Sequence, residues 1–293
     1  MNSILITGCS RGLGLGLVKQ LLELSDPINY IFATCRNPDG AQELNELKAK
    51  HGNLHVFALD VTDYASFDAL VKQIDEIVKE EGLNVLINNA GIYPSVASLN
   101  SVVADDLRNI LETNSIAPVM VTKAFIPLLQ KASKFNDTKT MGVHRATIVN
   151  ISSSVGSIEN VRSGRSYAYR MSKAALNMAT KTMSVDLKKD RILCIVMHPG
   201  WVQTDMGGLS APLKIDDSCK QMVNTILALN ESENGTFVQF NGKSLPWNGS
   251  NLDDSHEHDA GHDENDMEKM YPTMKMGPMR RPKMTMNQMF WMM

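Results

Sequence analysis

The 293-residue chain is 43% hydrophobic with a net charge of −3, which allows one large, well-buried α/β domain and argues against a disordered or collagen-like polymer. Eight of the 32 acidic and five of the 29 basic residues fall in 250–293, leaving 24 of each sign in 1–249, so the body offers no electrostatic footing for nucleic acid or an anionic membrane. Cysteines at 9, 35, 194 and 219 show no CxxC spacing and read as reduced thiols; with no signal-peptide pattern at the N-terminus and no apolar run of spanning length, the expected location is cytoplasmic, with no membrane partner.

Short β-branched apolar runs at 3–7, 30–35, 54–60, 85–89, 146–152, 191–197 and 236–241 alternate with segments of helical spacing, such as Phe67, Leu70, Val71, Ile74, Ile77 and Val78. This alternation predicts βαβ units. The expected architecture over residues 1–249 is a single doubly wound, Rossmann-type α/β domain with a seven-stranded parallel sheet and helices on both faces. Beyond Trp247 the composition changes: 253–268 is rich in Asp, Glu and His, the remainder has no apolar period, and ten of the nineteen methionines fall in this tail. Such a tail, 250–293, cannot bury a core and is expected to be disordered. His256, His258 and His262 lie in it without fixed spacing and are read as solvated, so no metal site is expected.

Directly after the first strand comes Thr7-Gly8-Cys9-Ser10-Arg11-Gly12-Leu13-Gly14, followed by helical apolar spacing from Leu15 to Leu24. Glycines let the backbone approach a ligand closely, and the new helix presents unpaired N–H groups to an anion, which suits the pyrophosphate of a dinucleotide. The spacing is TGxxxGxG, not GxGxxG, and a simple glycine-rich turn is the competing reading. Near the end of strand two, where an NAD site places a carboxylate on the ribose, the sequence reads Ala33-Thr34-Cys35-Arg36. Arg36 and Arg11 instead suit a 2′-phosphate, so NADPH/NADP is the expected cofactor; the competing reading is that both are ordinary surface charges.

Tyr169 and Lys173 stand four residues apart, on one face of a predicted helix. A neighbouring ammonium favours phenolate and fits Tyr169 for proton transfer near working pH. The pattern alone is weak, because Tyr271 and Lys275 repeat it within the tail, with Pro272 between them. Context supports Tyr169: Ile148-Val149-Asn150-Ile151-Ser152-Ser153-Ser154 reads as a buried strand ending in three hydroxyls, which either hold a substrate oxygen or merely cap the strand. Asn88-Asn89-Ala90-Gly91 and Pro199-Gly200-Trp201-Val202-Gln203-Thr204 end two further strands. One crevice at the strand C-termini would gather them all.

In this order the motifs resemble the short-chain dehydrogenase/reductase family over about residues 1–247: TGCSRGLG at 7–14, Asp60-Val61, NNAG at 88–91, Asn114, ISSS at 151–154, YRMSK at 169–173 and PGWVQT at 199–204. The opening MNSILITGCSRGLGLGLVKQLL, HPGWVQTDMGG and the closing LPW are similar to its carbonyl-reductase and C-factor-like branch. The resemblance implies a catalytic tetrad of Asn114, Ser153, Tyr169 and Lys173, with Ser152 the alternative serine. It further implies that Gly8, Arg11, Gly12, Leu13, Gly14 and Arg36 hold the cofactor phosphates and that Asp60 and Val61 meet its adenine. Asn88, Ala90 and Gly91 would support it, Tyr169 and Lys173 would meet the nicotinamide ribose, and Val202 and Thr204 the nicotinamide amide or the phosphates. Asn114 would hold a water relaying protons to Lys173.

The expected activity is NADPH-dependent reduction of a small-molecule aldehyde or ketone. The alternative is a cofactor-binding regulatory or signalling protein, which would have no need of Tyr169. The substrate pocket is expected to be shaped by 205–210, 93–97 and 154–167, with Trp201 lining it or packing beneath it. Apolar helix faces leave a homodimer open.

Overall fold

The structure is a computed structural model that describes residues 1–93, 97–159, 161 and 164–247. The tail expectations, including its histidines and the Tyr271/Lys275 pattern, lie outside the described residues, as do pocket residues 94–96, 160, 162 and 163.

One sheet carries the fold, in the order β3-β2-β1-β4-β5-β6-β7-β8. Its strands are β1 Ser3–Thr7, β2 Tyr30–Cys35, β3 Leu54–Ala58, β4 Val85–Asn88, β5 Thr147–Ile151, β6 Leu193–His198, β7 Phe237–Gln239 and β8 Ser244–Leu245. The first seven run parallel. The chain departs from β1 in both directions, through β2 on one side and β4 on the other, so a crevice opens at the C-terminal ends of β1 and β4.

Every residue of β1 is buried because both faces of the sheet are covered. Ile4 and Ile6 pack with Leu17, Val18 and Leu21 of α1 (Gly12–Leu22) and with Met222, Val223 and Ile226 of α7 (Ile215–Ala228). Leu5, Phe32, Leu86 and Ile148 face the other way, toward α3 (Phe67–Val78) and α5 (Ala117–Phe135). The buried Phe67, Leu70, Ile74 and Val78 of α3 form the predicted helical stripe. The remaining helices are α2 Gln42–Lys50, α4 Ala104–Leu111 and α6 Tyr167–Asp186.

The sheet has one strand more than the seven expected. The run 236–241 stops at Gln239, because Asn241-Gly242 makes a tight turn in which Gly242 N–H donates to Gln239 O, and β8 returns antiparallel beside β7. Asn-Gly is a strong hairpin dipeptide, but two residues are too short a strand to show alternation. β6 begins two residues later than expected because Arg191 adopts left-handed backbone, φ 54°, which a strand does not admit.

Candidate active site

The glycine loop is fixed from two sides. Gly8 has φ 75°, and a Cβ on it would meet Ala90 Cα at 2.9 Å; a Cβ on Gly14 would lie 2.2 Å from Gly8 O and 2.7 Å from Asn89 Nδ2. Both positions therefore exclude a side chain. Thr7 Oγ1 accepts from the backbone N–H of Asn89 (3.0 Å) and Ala90 (3.1 Å), while Asn89 Nδ2 donates to Thr7 O (2.9 Å) and Gly8 O (3.2 Å). This clamp joins the ends of β1 and β4. The first turn of α1 has neither an acidic residue nor a side-chain cap, so its positive end faces the crevice. That end, with side chains excluded at Gly8 and Gly14, fits a pyrophosphate.

Arg11 and Arg36 both stand exposed beyond the ends of the adjacent strands β1 and β2. Arg11 pairs with Asp205 at 3.1 Å across the mouth of the crevice. Asp60, past β3, accepts from Thr62 N–H at 2.9 Å and Thr62 Oγ1 at 2.8 Å. The Thr62 amide first, then its hydroxyl and nearby Arg36, hold the Asp60 carboxyl below the usual carboxylate range. Val61, Ala90 and Asn88 border a narrow recess with Thr7, Thr113, Pro118 and Val121. Asn88 itself points inward, donating to Asn150 Oδ1 at 2.8 Å and Thr122 Oγ1 at 3.1 Å, so it braces the end of β4 from beneath.

On the other side of Arg11 and Gly12 an open hollow of about 360 Å³ reaches Thr204 and Asp205. Its far wall is a self-bonded loop. Trp201 Nε1 donates to Gly207 O (2.8 Å), Gly207 N–H to Thr204 Oγ1 (3.0 Å) and Gln203 Nε2 to Ala211 O (2.8 Å), while Val202 bridges Leu213. Trp201 thus ties the loop together from its side chain.

The tetrad residues gather around α6. Lys173, only 6% exposed, donates from Nζ to Ile151 O at 2.9 Å and lies 5.6 Å from the Tyr169 ring centroid. Burial lowers its pKa to about 8. Beyond the end of β5 the two serines differ in their partners. Ser152 Oγ donates to Asn177 Oδ1 at 2.7 Å and is committed to α6, whereas Ser153 Oγ only accepts a long 3.4 Å contact from Val155 N–H at the start of the next turn.

Asn114 lies in a π turn, Glu112–Ile116, between α4 and α5, a helical irregularity frequent at functional sites. Pro118, four residues on, has no N–H to give the Asn114 carbonyl its regular helical donor. The Asn114 side chain accepts from Ile92 N–H at 2.8 Å and donates to Ile92 O at 2.9 Å and to Ser172 Oγ at 3.2 Å. Ser172 Oγ in turn donates to Tyr169 O at 2.8 Å, and Ser115 Oγ to Ser172 O at 2.8 Å. Thr7, Asn89, Ser115 and Ser172 thus hold the site although no role was assigned to them from the sequence. Thr7, Asn89 and Ser172 lie within the quoted motifs and Ser115 adjoins Asn114, which was their only signal in the sequence.

The pattern of the short chain dehydrogenase family matches residues 2–212, and the chain belongs to that family, which comprises oxidoreductases. The chain is similar to the carbonyl reductase Sniffer of D. melanogaster, at 52% identity and a TM-score of 0.84, over 84% of this chain and 100% of that one. It is also similar to an NADPH-bound carbonyl reductase from chicken fatty liver, at 41% identity and a TM-score of 0.80, over 84% and 99%. A shorter relative, C-signal of Myxococcus xanthus, is 38% identical over 165 residues, which is 56% of this chain and 93% of that protein. The carbonyl-reductase and C-factor-like resemblance of the motifs agrees with these relatives. Among the described residues no helix is long and apolar enough to cross a membrane.

Proposed function

We propose that the protein reduces aldehyde or ketone carbonyls with NADPH, with Tyr169 as proton donor. The observation that carries this reading is the buried Lys173 ammonium beside the Tyr169 ring, anchored two residues before Ser153. The two similar carbonyl reductases, one of them NADPH-bound, support it.

Gly8, Gly12, Leu13 and Gly14 would hold the pyrophosphate, with Arg11 and Arg36 on the 2′-phosphate and Asp60 and Val61 at the adenine. Asn88, Ala90 and Gly91 floor the site, and Val202 and Thr204 border its nicotinamide end. Bound there, NADPH supplies a hydride to the carbonyl carbon. Tyr169 passes its proton to the carbonyl oxygen, while Ser153 holds that oxygen by a hydrogen bond as charge develops on it. Lys173 stabilises the phenolate that remains and meets the ribose hydroxyls, and a water on the Asn114 carbonyl returns a proton through Lys173. The products are an alcohol and NADP⁺.

A second reading, a cofactor-binding signalling protein, draws on the relative named C-signal. Purified protein with a panel of aldehydes, ketones and quinones decides between them: NADPH consumption with at least one class is expected, and NADPH binding without turnover would favour the second reading. Four buried free thiols suit a cytosolic setting. We also propose a homodimer, because Met171, Met178 and Val185 repeat at seven-residue intervals along α6 at 47, 69 and 71% exposure. Sedimentation showing a monomer at micromolar concentration would remove that assignment.

A further inference from the structure

The segment after β4 runs from the glycine loop to the tetrad and is held at several of its described residues. Ala90 packs against Gly8, and Ile92 is held at both backbone groups by Asn114. Half-buried Tyr93 meets Tyr169 edge-on, with ring centroids 4.8 Å apart and planes at 84°, and its hydroxyl lies 2.9 Å from Ser166 Oγ. Ser166 and Tyr169 are three residues apart at the start of α6 and so share a face. The Tyr93 side chain spans that turn, with its hydroxyl at one end and its ring at the other.

Ser166 shows that this contact is built into the backbone. It adopts φ 60° and ψ 38°, a left-handed conformation unusual for a residue with a side chain. Such backbone persists only where its surroundings fix it. Ser166 is buried, its N–H donates to Ala97 O at 3.1 Å, its carbonyl accepts from Arg170 N–H at 3.0 Å, and its hydroxyl pairs with Tyr93. Two of those three contacts come from the segment after β4. Burial first, opposed by the Ser166 bond and by Arg170, raises the Tyr93 phenol above its ordinary range.

We propose that Tyr93 is the positioning residue for Tyr169: its ring, anchored through Ser166, holds the phenol of Tyr169 in its proton-donating orientation. Aromatic pairs in this edge-on geometry are favourable beyond their buried area, and proton transfer is steeply sensitive to alignment. The proposal rests on Tyr169 being the proton donor.

Tyr93→Leu and Tyr93→Phe in the full chain test it. With a carbonyl substrate that the unmodified protein reduces, Tyr93→Leu is expected to lower kcat about ten- to a hundredfold. Its NADPH dissociation constant should stay within about twofold, and the solvent deuterium isotope effect on kcat should rise. Tyr93→Phe keeps the ring, loses the Ser166 bond, and should recover kcat to within about threefold. A second readout does not need turnover: in tyrosine-labelled protein the ring resonance of Tyr169, assigned by its loss in Tyr169→Phe, should move in Tyr93→Leu. An unmoved resonance overturns the proposal, as does a kcat for Tyr93→Leu within about twofold, equal damage from Leu and Phe, or a loss confined to NADPH binding. Failure of the unmodified protein to reduce any carbonyl overturns the functional reading instead, and the resonance then judges Tyr93 alone.

Discussion

At the phosphate end of the crevice Arg11, Arg36 and Asp205 stand on an exposed rim, whereas at the catalytic end Asn114, Tyr169 and Lys173 are at most 9% exposed. The difference separates two uses of charge. On the rim, water and salt screen each guanidinium, so on the proposed reading the arginines would select among cofactors by modest, salt-dependent increments. Behind β5 and α6, desolvation itself tunes the group: Lys173 titrates near 8 because burial disfavours its ammonium. What holds each end also differs. The phosphate end is a backbone shape closed by the Thr7–Asn89 clamp, and the catalytic end is a side-chain network through Ser172 and Ile92.

The largest effect should fall at the buried end. Lys173→Met is expected to lower kcat by about two to three orders of magnitude. The sign of the pH dependence follows from the lowered pKa: the ammonium is present at neutral pH and is lost as pH rises through about 8, so kcat/KM for carbonyl reduction should decline above that point. The decline near 8 should vanish in Lys173→Met. An alkaline limb unchanged in that variant would break the link between burial and catalysis.

Gly14→Ala comes next and acts on shape alone. Its Cβ would sit 2.2 Å from Gly8 O, so the loop must shift, and NADPH affinity measured by titration should fall about tenfold or more, with a smaller change in kcat at saturation. The smallest effect belongs to the rim. Replacing Arg11 and Arg36 together by Ala should raise the KM for NADPH roughly tenfold and leave that for NADH nearly unchanged, with the difference shrinking as salt rises. Equal changes for the two cofactors would make both arginines ordinary surface charges.

Much of this was legible in the chain itself. Buried strands and one-sided helices have strong periods, so the doubly wound sheet and the helix carrying Tyr169 and Lys173 could be placed from residues alone. What escaped depends on direction and on distant partners. Which of Ser152 and Ser153 is committed to a partner on α6 is hidden in a run of three serines; only the Ser152 bond to Asn177 shows it. Thr7 and Asn89 are 82 residues apart and meet only once β1 and β4 are paired through the sheet. The left-handed Ser166 has no sequence signature, since glycine or asparagine would be expected there. β8 is too short for any period. The tetrad roles remain chemical assignments drawn from residue type and place.

The most direct measurement is therefore the single-turnover rate of Tyr169→Phe, taken alongside its NADPH dissociation constant. Loss of the hydroxyl should slow reduction by about two to four orders of magnitude while leaving cofactor affinity within about twofold. A variant that reduces carbonyls at close to the unmodified rate would contradict the account, because it would remove Tyr169 from the proton transfer.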